Sequence, residues 1–65
     1  MNLETAAAIV AADQNAGDWG DEPPMSPREA VEHVRNIMAL DEVVDYGDAN
    51  TKAYRLVLST SELPS

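Results

Sequence analysis

The chain has 65 residues, with 12 Asp and Glu against 4 Lys and Arg, and a net charge of −8. That length supports one domain, residues 1–65, with a thin core, and the absence of Cys excludes disulfides and thiolate metal sites as staples. A field of this sign repels nucleic acid and membrane and attracts basic protein surfaces.

Leu3 to Gln14 is predicted as a first helix. Leu3, Ala6, Ala7, Val10 and Gln14 fall near one face, Asn2 can cap the start, and Glu4 sits in the first turn. Gly17 and Gly20 stop it. An acidic Gly/Pro loop follows at 15–25, with Trp19 as its one large apolar side chain. Trp19 either tacks the loop to the body or waits for a partner.

Ser26-Pro27-Arg28-Glu29 is a capping box with Pro at the first helical position, and Met25 is placed to staple against Ala30. Ala30, Val31, Val34, Ile37, Met38 and Asp41 share a face, which predicts a second helix running to about Leu40. Beyond it, Val43–Tyr46 and Lys52–Ser59 alternate in the manner of strands. Gly47-Asp48-Ala49-Asn50 has turn chemistry between them. The expected fold class is therefore α+β: two helices followed by an antiparallel β-hairpin whose Tyr54, Leu56 and Leu58 pack on them (α-α-β-β). The tail at 60–65 is expected to be irregular and frayed.

Phe is absent, so the core is expected from Leu3, Ile9, Val10, Val31, Val34, Ile37, Met38, Leu40, Val44, Leu56 and Leu58. Stability on the order of 3–5 kcal/mol follows from so small a core. A monomeric, cytoplasmic protein is expected. Met1-Asn2-Leu3-Glu4 lacks the basic start of a secretory signal, and Ala6–Ala12 is too short to span a bilayer. No Lys or Arg precedes Arg28 to grip an anionic membrane.

Chemical motifs are weak. Asp13-Gln14-Asn15-Ala16-Gly17-Asp18 begins like a calcium loop, but Asp18 stands where Gly is needed and Pro24 where a bidentate Glu is needed. Asp45-Tyr46-Gly47-Asp48-Ala49-Asn50 fails similarly. His33 is the only histidine and has no partners for a metal site. Asp41-Glu42 and Asp21-Glu22 could serve acid–base work only in a desolvating cleft, which a domain this small hardly offers. No enzymatic activity and no cofactor are expected. Two helices and a hairpin suggest a winged-helix DNA binder, but Arg28 and Arg35 face Glu29, Glu32, Asp41 and Glu42 on the same stretch. Direct contact with nucleic acid is therefore not expected.

The acids themselves remain. They lie on four segments able to converge: Asp13–Glu22, Glu29 and Glu32, Asp41–Asp45, and Asp48. Such excess can serve solubility alone. Duplex DNA carries one charge per ~1.7 Å of axis, and successive acids on a helix or loop can reach a comparable density. The expected partner-binding residues are Asp13, Asp18, Trp19, Asp21, Glu22, Glu29, Glu32, Asp41, Glu42, Asp45 and Asp48. Trp19, Tyr46 and Tyr54 are the candidate apolar anchors, with Tyr54 the one best suited to the core.

Three stretches carry a resemblance: Leu3-Glu4-Thr5-Ala6-Ala7-Ala8-Ile9-Val10, Asp18-Trp19-Gly20-Asp21-Glu22, and Ser26-Pro27-Arg28-Glu29-Ala30. Together with the short, Cys-free, acidic character of the whole chain, they make it similar to small acidic phage-type anti-CRISPR proteins, type I-C inhibitors in particular. What the resemblance implies is binding to an RNA-guided CRISPR surveillance complex of the bacterial host and obstruction of target-DNA capture. Such effectors read DNA with basic side chains and hold it in positive channels, which an acidic decoy could occupy. The alternative is a small acidic adaptor or antitoxin-like protein folding against a basic partner; a carboxylate acid–base enzyme ranks behind it.

Overall fold

The first helix, α1, runs Leu3–Asn15 in the computed structural model, which describes residues 1–64. Asn2 caps it by accepting the Thr5 amide through its side-chain oxygen at 2.8 Å. Its Ala-rich stretch does two things. Ala is the best helix former, and its small side chain lets neighbouring helices approach closely. Ala6, Ala7, Val10 and Ala11 are buried, so α1 is the central element against which both other helices pack.

The connection from 16 to 25 turns at Gly20, whose φ of +66° is the left-handed conformation that glycine adopts without strain. Asn15 closes it. Its side-chain amide donates to the Met25 carbonyl at 2.9 Å, and its side-chain oxygen accepts the Met25 amide at 2.8 Å. This pair of bonds brings the chain back beside the end of α1 and sets up the next helix.

That helix, α2, spans Pro27–Ile37 and begins with the predicted capping box. Ser26 Oγ accepts from the Glu29 amide at 3.2 Å, and Glu29 Oε1 accepts from the Ser26 amide at 3.3 Å. Ala30, Val31 and Val34 are buried, and Met25 packs partly buried against the same core. The helix ends three residues before the expected Leu40. Met38 turns extended, with φ −147° and ψ 158°, and tucks its side chain partly under the core. Ile37, expected inside, is left 55 % exposed. A single turn of 3-10 helix follows at Leu40–Glu42.

The expected hairpin does not form. Residues 49–59 are a third helix, α3 (Ala49–Ser59), and no strand is present among the described residues, so the fold is all-helical rather than α+β. Asp48 decides the start. Its carboxylate accepts from the Thr51 amide at 3.2 Å, which makes it a helix N-cap rather than a hairpin turn residue. The buried residues Ala53, Tyr54 and Val57 follow the helical period, whereas Leu56 and Leu58 are only half-buried. Val43–Tyr46 has no strand partner and links the 3-10 turn to α3.

The buried core has ten residues: five Ala, four Val and Tyr54. Of the larger side chains expected there, Leu3, Ile9, Met38, Leu40, Leu56 and Leu58 sit half-buried around it, and Val44 is exposed. Residues 60–64 are irregular. Arg35 holds them, donating to the carbonyls of Ser61 and Glu62 at 3.4 and 2.6 Å, and Pro64 is buried; Ser65 lies outside the described residues.

Candidate functional site

All eleven sequence-predicted partner-binding residues are exposed. The basic side chains leave most of them uncompensated. Among the described residues one ion pair forms, Arg28 with Glu32 at 3.4 Å, across one turn of α2 on the surface. Arg35 spends its guanidinium on main-chain carbonyls, those of Val57, Ser61 and Glu62. Arg55 does the same with the carbonyls of Leu40 and Val43. Both arginines thus bind peptide oxygens, which are neutral, and the carboxylate excess stays on the surface.

Many of the acids also have local work. Asp18 accepts the Gly20 amide at 3.1 Å, Asp45 the Gly47 amide at 2.8 Å, and Glu42 the Ala39 amide at 2.8 Å. Glu29 and Asp48 cap helices, and Glu32 pairs with Arg28. The hydroxyl of Thr51 also donates to Asp48, and this bond is the main cause holding the Asp48 carboxyl below its ordinary range. Among the described residues, the side chains of Asp21, Glu22 and Asp41 carry no such duty.

The fold brings some of these residues together. Asp13, at the end of α1, accepts from the Tyr54 phenol at 2.5 Å and from the Asn50 side-chain amide at 3.5 Å. It therefore stands beside the first turns of α3. The phenol in turn accepts from the Gln14 side-chain amide at 2.8 Å. Burial, and then the hydrogen bond to Asp13, push the Tyr54 phenol up to about 12. The loop acids Asp18, Asp21 and Glu22 are carried separately. Trp19 anchors their loop by donating its indole N–H to the Gln14 carbonyl and setting its ring edge-on to His33, with centroids 5.5 Å apart. The loop group is thus held through Trp19 against Gln14 of α1 and His33 of α2, while Asp41, Glu42, Asp45 and Asp48 lie on the 3-10 turn and the link that leads into α3.

The three candidate anchors separate clearly. Tyr54 is core, at 8 % exposure. Trp19 keeps 40 % exposure but is already tied to α1 and α2. Tyr46, at 78 %, is the most exposed of the large apolar side chains.

The described residues enclose no pocket, and no three His, Asp or Glu side chains gather as metal ligands would. No helix is long and apolar enough to cross a membrane. Comparison with known proteins finds no family model, no curated protein and no solved structure that matches this chain.

Proposed function

We propose that this chain is a cytoplasmic protein inhibitor that binds a basic, nucleic-acid-binding surface of an RNA-guided CRISPR surveillance complex and blocks capture of target DNA. The observation that carries the reading is the uncompensated acid surface. Twelve carboxylates meet four cations, and two of those cations are turned inward onto carbonyls. The resemblance to type I-C inhibitors supplies the class of partner. Charge of this kind speeds and orients docking onto a positive channel, and it disfavours contact with DNA itself.

The test uses a purified, guide-loaded type I-C complex and a labelled target duplex. The wild-type chain is expected to suppress DNA capture. Lys at Asp21, Glu22 and Asp41 together is expected to slow association about tenfold or more while leaving the fold intact, because these three carboxylates hold nothing internal. DNA capture unchanged by the wild-type chain rules the reading out. Wild-type potency in the triple variant leaves these three acids to solubility.

A further inference from the structure

The link between the 3-10 turn and α3 displays apolar surface that the fold does not use. Tyr46 is 78 % exposed and Val44, two residues before it, 57 % exposed. Neither belongs to the core or packs against it. Isolated exposed apolar residues are ordinary on a protein surface, so exposure alone decides nothing. Three further features distinguish this pair.

The first is that the link is held from both sides. Arg55, reaching out of α3, donates its guanidinium to the carbonyls of Leu40 and Val43 just before Val44. The Tyr46 amide donates to Thr51 Oγ1 at 3.3 Å. Gly47 then turns the chain at φ +84°, with its amide on Asp45. A segment fastened in this way loses little backbone freedom when a partner covers it, so binding energy is not spent on ordering it.

The second is charge. Asp41, Glu42, Asp45 and Asp48 flank Val44 and Tyr46 in sequence and are all exposed. The nearest bases are Lys52, which acts on Asp48, and Arg55, which is occupied by carbonyls. An aromatic residue inside a set of carboxylates complements a surface where Lys and Arg surround an apolar cleft. A partner guanidinium can also lie on the phenol ring.

The third is the contrast with the other aromatics. Tyr54 is buried, and Trp19 serves the fold through Gln14 and His33. We propose that Tyr46, with Val44 beside it, is the apolar anchor by which this chain is held on its basic protein partner. The proposal rests on the inhibitor reading above and assigns the holding to one face. The acids set how fast the complex forms, and Tyr46 sets how long it lasts.

The experiment measures association and dissociation rates on the immobilised, guide-loaded type I-C complex. Tyr46→Ala is expected to raise the dissociation rate about 30-fold or more, the range of a binding hot spot, with the association rate nearly unchanged. Tyr46→Phe, which keeps the ring, is expected to dissociate like the wild type. The denaturation midpoint of Tyr46→Ala should match that of the wild type, so a loss of binding will not be a loss of fold. If the wild type binds and Tyr46→Ala dissociates no faster, the anchor is overturned and the inhibitor reading stands. If the wild type does not bind the complex at all, both fall. If sedimentation shows a dimer that Tyr46→Ala turns into a monomer, this face holds a second copy of the chain, and the anchor is overturned in that case too.

Discussion

Tyr54 is at once a core residue and a polar link. Its ring fills the core, while its hydroxyl links Asp13 and Gln14 at the end of α1. The phenol must be neutral to donate to Asp13. Its ionisation in the fold is pushed up to about 12, against about 10 when unfolded. A raised value favours the folded state below about 10 and gives that advantage up as pH rises toward about 12. Urea midpoints at pH 8 and pH 11.5 are therefore expected to fall further in the wild type than in Tyr54→Phe, which has no phenol to ionise. An equal fall in both would show that the hydroxyl does not couple to folding. Asp13 is among the partner-binding acids expected from the sequence. The structure gives it this internal bond as well, so its removal is a poor probe of binding alone.

At the scale of elements, α3 carries the main lesson. Lys52–Ser59 places Tyr54, Leu56 and Leu58 at alternate positions, and the same residues place Ala53, Tyr54 and Val57 on a helical face. A short apolar run fits both periods, so the neighbours of the segment must decide. The signal that could have decided it was Asp48 with Thr51 three residues on, a helix N-cap pattern read as a turn because Gly47 precedes it. Val57 separates the two folds experimentally. In the hairpin it faces away from the core; in α3 it is fully buried. Val57→Ala is expected to cost about 2 kcal/mol, for two lost methyl groups and the space they leave. That is a large share of a stability on the order of 3–5 kcal/mol. Ile37→Ser, at a position expected in the core and found exposed, should stay within about 0.5 kcal/mol of wild type. Chemical denaturation of both variants checks the pair, and a silent Val57→Ala would mean that Val57 is not packed in the core.

For the whole molecule, charge works against the compact state that must carry it. The longest dimension is 32 Å. At about 10 mM salt the screening length is about 30 Å, so every carboxylate feels every other; at about 150 mM it is about 8 Å, and only neighbours interact. With one ion pair among the described residues to offset a net −8, added salt is expected to stabilise this protein. The thermal midpoint should rise between those two salt levels, by about 4–8 °C if the relief is about 1 kcal/mol. A midpoint that is flat or falls with salt would mean that attractive pairs dominate. The same salt should weaken binding to a basic partner, so stability and affinity are expected to move in opposite directions.

The sequence by itself determined α1, the capping box that starts α2, the loop between them, and the exposure of every acid proposed for binding. Those features are local. A cap needs residues three apart, a helical face needs a period, and a carboxylate without a buried partner stays in water. Only the tertiary structure decided that residues 49–59 coil rather than extend, that Ile37 and Val44 face out, and that five alanines form half of the core. It also decided that Arg35 and Arg55 face carbonyls rather than carboxylates, and which of three aromatics is left uncovered. Apart from the Asp48 cap that starts α3, which is local, each of these depends on what lies across the core from a residue. Packing is a property of pairs distant in the chain, and the order of residues does not display it.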